Sequence, residues 1–266
     1  MRDNIAVIGS GVIGGAIIRS LLKSGYDCRI TASDIELERI RELKELGVTV
    51  TSDNKKAAKE SNIIFVCVKP NFLSDVLKEI SQEINGKLVI SSAAAVTISF
   101  CKRIVPHAKF VRIMPNVAII VQESFTAYCC SQDVTSHEKE RVNSLLSLMG
   151  IQMEIEEKFM DAITAVSGSG PGYISIIIEA LTYAGLKVGL PRKLASYSAA
   201  QAVLGTAKLI LETGQTAAQI RDNVTTPGGT TIEAIYEVEG SQIRQALMKA
   251  VEVATKKSNE IRKQWE

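Results

Sequence analysis

Two kinds of apolar pattern divide the chain. Through about the first 160 residues, short apolar runs alternate with helical periods, the signature of an α/β sheet. Ile5-Ala6-Val7-Ile8, Arg29 to Ala32, Val48 to Val50, Ile63 to Val68 and Leu88 to Ser92 are predicted strands. Phe110 to Asn116 reads as a strand with its exit loop, and Thr126 to Cys129 and Gln152 to Ile155 complete a sheet of about eight strands. Ile63 to Val68 is apolar throughout, as expected of a parallel strand covered on both faces. Ile17, Ile18, Leu21 and Leu22 mark one inward helix face, Glu36 to Leu43 is helix-like, and Ser136 to Met149 is amphipathic.

From Asp161 onward the strand signals fade. Ser167-Gly168-Ser169-Gly170-Pro171-Gly172 reads as a glycine hinge, followed by a helix from Tyr173 to Leu186 that is apolar on most sides, with Glu179 its one acid. Arg192 to Thr213 is rich in Ala, Ser and Gly, which favours close helix approach, and Gly214 is placed to end it. A last helix carries Ile243, Leu247, Val251, Ala254, Ser258 and Ile261 at three- and four-residue steps. The predicted fold is therefore an N-terminal Rossmann-type doubly wound sheet, residues 1–160, followed by an all-helical C-terminal domain, residues 161–266, through which dimerisation is expected. A helix apolar on all sides in a domain of about 100 residues calls for a partner subunit, because small domains bury a limited share of their surface.

Composition narrows the partners. At 266 residues, 46% hydrophobic and a net charge of +2, the chain suits a soluble globular protein without a polyanionic partner, so nucleic-acid binding is not expected. The five cysteines form no C-x-x-C pair and several lie in apolar runs, which suits free buried thiols in a reducing cytoplasm. His107 and His137 are the two histidines, too few for a metal cluster or a histidine triad. Ile5 to Ile18 has the apolarity of a leader segment, but Gly9, Gly11, Gly14 and Gly15 fall at turn spacing and mark it as mature structure. No apolar run reaches membrane-spanning length, and the expected location is the cytoplasm.

The candidate chemistry lies in glycine turns. Gly9, Ser10, Gly11, Val12, Ile13 and Gly14 form G-x-G-x-x-G between a strand and a helix. In this context Gly9 makes the turn, Gly11 lets a pyrophosphate approach and Gly14 lets the helix pack on the sheet. Asp34, about 20 residues beyond, has the spacing of a ribose-binding acid, and equally that of a helix N-cap. Ser33, with Arg39 or Arg41 in reach, would instead admit a 2′-phosphate, so NADP(H) and NAD(H) both stay open. The strand exits at Val68-Lys69-Pro70 and Ser92-Ala93-Ala94-Ala95 are cofactor-side loops in such a sheet, though small residues also serve tight packing. In Val224-Thr225-Thr226-Pro227-Gly228-Gly229-Thr230-Thr231-Ile232, Pro227 stops one helix and Thr230-Thr231 heads another. A helix start of that kind favours an anion such as a carboxylate, or is simply a capped connection.

These residues together resemble the pyrroline-5-carboxylate reductase family over essentially the full length. The match is carried by Gly9 to Gly14 with Ala16-Ile17, Val68 to Pro70, Ser92 to Ala94, Arg112 to Asn116, Ser167 to Pro171, and above all Asp222 to Ile232. The resemblance implies hydride transfer from NAD(P)H to the C=N carbon of 1-pyrroline-5-carboxylate, giving L-proline in the last step of proline synthesis. It also implies a homodimer intertwined through its helical domain, assembled further up to a decamer of dimers. Carried over to this sequence, Gly9 to Gly14, Ser33, Asn54, Val68, Lys69, Pro70, Ser92, Ala93, Ala94 and Asn223 hold the cofactor. Val224, Thr226, Gly229, Thr230, Thr231 and Glu157 hold the substrate. The backbone of Gly229 to Thr231 and the Thr226 hydroxyl would grip the carboxylate, while the catalytic Thr231 hydroxyl meets the ring nitrogen. Glu157 also reads as a solvated charge within Glu154 to Lys158.

The chain departs from the family at Ala95, where glycine is usual, at Ala118, where proline is usual, at Gln122-Glu123-Ser124, which replaces Gly-Glu-Gly, and at Val238. These bear on the conformation of residues 116–124. A related imine reductase is the neighbouring reading, and a non-catalytic nucleotide sensor is a third. A β-hydroxyacid dehydrogenase would place a lysine on the helix after the glycine hinge, and Tyr173 to Gly185 contains none.

Overall fold

A computed structural model describes residues 2–266. The chain forms two compact units: residues up to Ser169 together with Val253–Glu266, and Gly170–Glu252.

The first unit is built from β1 (Asp3–Ile8), α1 (Val12–Lys23), β2 (Cys28–Ser33), β3 (Thr49–Thr51), α2 (Asn54–Lys59), β4 (Ile63–Val66), α3 (Pro70–Glu79), β5 (Leu88–Ser91), α4 (Ile98–Ile104), β6 (Lys109–Met114), β7 (Ser124–Cys130), α5 (Ser136–Ser147), β8 (Gly150–Glu154) and α6 (Met160–Ile163). The sheet has eight strands in the order β3-β2-β1-β4-β5-β6-β7-β8. All neighbours are parallel except β6 and β7, an antiparallel pair that the strand pattern did not disclose.

Why the strands read as continuous apolar runs is visible in β1 and β4. Ile5, Val7, Ile63 and Phe65 enter one core with residues of α1 and α5. Ala6, Ile8, Ile64 and Val66 enter a second core with residues of α2, α3 and α4. Side chains alternate across the sheet, so a strand covered on both faces must be apolar at every position. Strand order reverses between β1 and β4, which opens a crevice at their carboxyl ends.

Three segments differ from expectation or complete it. Leu37–Leu46 is a 3-10 helix rather than an α-helix. Leu37, Ile40, Leu43 and Leu46 recur every third residue, the repeat of that tighter helix, and Ile40 and Leu43 are buried. The expected hinge at 167–172 is helical on both sides: a π-turn spans Thr164–Gly168, and a Cβ at Gly168 would lie 2.7 Å from Met114 Cε, so close packing explains that glycine. Residues 116–124 contain a 3-10 turn, Val117–Val121.

Two of the three departures from the family's glycines fall where the backbone is left-handed, Ala95 with φ 63° and Gln122 with φ 61°, whereas Ser124 opens β7 in extended backbone. Glycine occupies that region freely and other residues do so at a cost of about 1 kcal/mol. The Gln122 side chain donates to the Leu148 carbonyl at 3.0 Å, which offsets part of it. At Ala118 the backbone N–H, which a proline would lack, donates to Asn116 Oδ1 at 3.0 Å. The structure offers no account of Val238.

The second unit contains α7 (Gly170–Lys187), α8 (Arg192–Thr213), α9 (Ala217–Asn223), α10 (Thr230–Glu239) and the start of α11 (Ile243–Arg262). A Cβ at Gly185 would stand 2.8 Å from Ala195 Cβ, so small residues do set the α7–α8 approach. Gly214 ends α8 at φ 70° as expected. Burial of α7 does not follow within one chain: none of its residues is buried, and Ile176 is 66% exposed.

The end of α11 belongs with the first unit through a buried carboxylate. Asp161, 5% exposed, accepts from Ser258 Oγ at 2.7 Å and from Arg262 Nε at 2.8 Å. Beyond it Trp265 meets Phe100 edge-on, with ring centres 5.4 Å apart.

Candidate active site

The β1–β4 crevice opens into a cavity of about 700 Å³. Gly9, at φ 82°, turns the chain out of β1, and its N–H donates to the Ser33 carbonyl at 2.9 Å. A Cβ at Gly9 would meet Val68 Cγ1 at 2.8 Å, and one at Gly14 would overlap the Gly9 carbonyl oxygen and stand 3.1 Å from Val7 Cγ1. At Gly11 the space is open toward the cavity, with only the Arg39 guanidinium nearby. The three expected glycine roles are thus three different geometries.

The cavity suits a dinucleotide. The N-terminus of α1 has no side-chain cap and no acid in its first turn, which leaves its leading N–H groups for a diphosphate. Val12, Ile35 and Phe72, all large, apolar and exposed, converge on the same cavity and offer flat apolar walls. Of the expected cofactor residues, Gly9, Gly11, Val12, Ile13, Ser33, Asn54, Val68 and Lys69 line it. Ser10 instead donates its buried hydroxyl to the Val7 carbonyl at 3.0 Å, Gly14 packs below, and Pro70 opens α3. Ser92, Ala93 and Ala94 follow β5, with the Ser92 N–H on the Val66 carbonyl at 3.1 Å. Asn223 ends α9 in the second unit.

Ser33 is fully buried and donates to Asn54 Oδ1 at 2.7 Å, and Asn54 Nδ2 donates to Glu79 at 2.9 Å. Sequence reasoning passed over Ile35, Phe72, Val76 and Glu79, which also line the cavity. An exposed aromatic two positions after Pro70 was the available signal for Phe72. Cys67 lines it too, and burial pushes its thiol up to about 12 against a weaker opposing hydrogen bond with Ser92, so it is a neutral group there.

Glu157 lines a second cavity of the first unit, of about 600 Å³. Its Oε1 accepts from Arg112 Nη1 at 3.0 Å and from the Ile98 N–H at 2.9 Å. The Arg112 side chain is only 4% exposed, so this carboxylate neutralises a buried cation and caps α4 rather than being freely solvated.

In the second unit, α9 and α10 are joined by the threonine and glycine turn. Gly228 takes φ 67°, and the Gly229 N–H closes the turn on the Thr226 carbonyl at 3.0 Å. That N–H, expected to face a ligand, is therefore used internally. Gly229 is the N-cap of α10 without a side-chain cap, which leaves the N–H groups of Thr230 and Thr231 without partners in the helix. Thr225 Oγ1 donates back to the Arg221 carbonyl at 2.7 Å, whereas among the described residues the hydroxyls of Thr226, Thr230 and Thr231 have no hydrogen-bond partner. Val224 is exposed beside them. Among the described residues, no group of His, Cys, Asp and Glu could hold a metal ion, and no helix is long and apolar enough to cross a membrane.

Comparison with known proteins agrees with both halves of this arrangement. Residues 4–95 match the family model described as NADP oxidoreductase, coenzyme F420-dependent, and residues 157–261 match pyrroline-5-carboxylate reductase dimerisation. The chain is 38% identical to a pyrroline-5-carboxylate reductase of Methanosarcina acetivorans, over 98% of this chain and 99% of that protein. Its fold superimposes on a pyrroline-5-carboxylate reductase from Coxiella burnetii with a TM-score of 0.92 at 32% identity, covering 98% of each chain. A Plasmodium falciparum pyrroline carboxylate reductase solved with NADP bound gives a TM-score of 0.87 at 30% identity, covering 98% of each chain. A glycine turn shaped for a dinucleotide, an open helix start flanked by threonines, and similarity over nearly the whole length lead to one conclusion: the chain belongs to the pyrroline-5-carboxylate reductase family.

Proposed function

We propose that the protein reduces 1-pyrroline-5-carboxylate to L-proline, the last step of proline synthesis, with NADPH as donor and NADH as the alternative. The observation that carries this reading is the start of α10, where two free backbone N–H groups and three unpartnered threonine hydroxyls gather in one turn.

Reduced nicotinamide, when bound, supplies the hydride to the imine carbon. The chain's own task is to bind and orient. Gly9 to Gly14, Ser33, Asn54, Val68 to Pro70, Ser92 to Ala94 and Asn223 hold the cofactor. The N–H groups of Thr230 and Thr231, with the Thr226 hydroxyl, hold the substrate carboxylate, and the positive end of α10 adds to that attraction. Thr231 Oγ1 orients the ring nitrogen in its protonated form, the better hydride acceptor. Gly229 contributes the turn itself, and Val224 an apolar wall. Glu157 is retained as a substrate-side residue that acts while paired with Arg112.

Residues 1–160 serve as the dinucleotide-binding domain and 161–266 as the dimerisation and substrate domain. A homodimer through the helical region is supported by the dimerisation match and by the open apolar positions of α7, and a decamer of dimers is the larger assembly we propose. The cytoplasm is the proposed location.

Thr231→Ala should lower kcat/KM for the imine by about 10- to 100-fold, the loss of one hydrogen bond made in the transition state, about 1 to 3 kcal/mol. Thr231→Ser keeps the hydroxyl and should recover most of the rate. Steady-state kinetics of both variants test the role, and an unchanged Thr231→Ala enzyme removes it.

A further inference from the structure

Arg39 stands on the rim of the dinucleotide cavity with no acid to neutralise it. A Cβ built at Gly11 would lie 3.7 Å from its Nη2 and 3.9 Å from its Cζ, so the guanidinium hangs beside the glycine turn. The two other arginines of the region have acid partners, whereas Lys69, which also lines the cavity, has no ion pair among the described residues. Arg19 pairs with Glu42, and Arg41, largely exposed, sits 3.6 Å from Glu38 and does not line the cavity. Among the described residues, no carboxylate lies within ion-pair distance of Arg39.

The acids of this cavity are turned to other tasks or stand apart. Asp34 accepts the Glu36 N–H at 3.0 Å, which closes a tight turn at the end of β2. Glu79 accepts from Asn54. Glu36 and Asp75 also line the cavity, as does Lys69, and none of these pairs with Arg39. Dinucleotide folds that prefer NAD place a carboxylate on the ribose 2′-hydroxyl, whereas those that take NADP place an arginine near a 2′-phosphate. Here the carboxylate at the strand end is held by backbone and the guanidinium is free.

We infer that Arg39 is the residue that selects NADPH over NADH, by pairing with the 2′-phosphate of the adenosine ribose; this rests on the dinucleotide-binding reading of the cavity. Arg39 is exposed and packs no core, so its replacement leaves the fold intact. A guanidinium can meet a phosphate with two parallel hydrogen bonds, which a lysine cannot reproduce.

The test is calorimetric titration of the whole protein with 2′,5′-ADP and with ADP, free of any turnover. Arg39→Ala should weaken 2′,5′-ADP about 10- to 100-fold while ADP changes less than about 2-fold. Arg39→Lys should fall between, and Arg41→Ala should match the parent protein. An equal loss for both ligands places Arg39 on the diphosphate and overturns the inference, as does no loss for either. If the parent protein binds neither ligand, the cavity is not a dinucleotide site and both readings fall. If the binding difference appears but pyrroline-5-carboxylate is not reduced, the assigned reaction fails and the role of Arg39 stands.

Discussion

Asp161→Ala should destabilise the protein by about 3 kcal/mol, because it removes the one acceptor shared by a buried hydroxyl and a half-buried guanidinium. Ser258, 6% exposed, would be left with an unmade hydrogen bond. Arg262 keeps Glu266 and Asn259 as partners, which holds the loss below that of a fully isolated buried charge. For a chain of this length the shift in thermal midpoint is about 5 to 10 °C. Asp161→Asn, which can still accept one of the two bonds, should lose about half as much. Trp265, the single tryptophan, rests against Phe100 on the same segment, so its emission reports whether Val253–Glu266 has come away. A change under about 1 kcal/mol with unaltered emission would show that Asp161 does not anchor the segment.

The second large effect is expected at Gly14. An added methyl there would overlap the Gly9 carbonyl oxygen and crowd Val7, and because the first of these is backbone the chain itself must shift. Gly14→Ala should therefore push α1 away from the sheet, at a cost of about 1 to 3 kcal/mol for overpacking. Displacing the helix start by about 1 Å takes its N–H groups off the diphosphate, and losing charge-assisted hydrogen bonds there lowers dinucleotide affinity on the order of 100-fold. Gly15→Ala is the control, since a Cβ there meets nothing closer than 3.4 Å and should leave affinity near that of the parent. Equal affinities for the two variants would contradict the packing role given to Gly14.

Local patterns made much of this readable in the sequence. The strand, glycine turn and helix at Ile5 to Ile18 are set by neighbours, and the run Ile63 to Val66 announces its two-sided burial residue by residue. Long-range partners were not readable. By its local neighbours Glu157 looked like one charge in a solvated run, because its partner Arg112, the buried member of the pair, comes 45 residues earlier. Asp161 looked like the start of a new domain, and its hold on Ser258 spans 97 residues. Ser258 itself left a trace, as a polar residue on the apolar stripe of the last helix. Arg39 and Arg41 could not be told apart while the segment was taken for an α-helix; the three-residue repeat turns one toward the cavity and the other toward Glu38. Ala95 and Gln122 registered only as departures, since left-handed backbone is a property of conformation and not of composition.

The central claim is that this chain delivers hydride to a cyclic imine. It is tested most directly by following oxidation of NADPH and of NADH by the whole protein on addition of 1-pyrroline-5-carboxylate, with L-proline quantified as product. The account predicts one L-proline formed per nicotinamide oxidised, faster with NADPH. A folded protein that binds 2′,5′-ADP yet oxidises neither nicotinamide in the presence of the imine would contradict it.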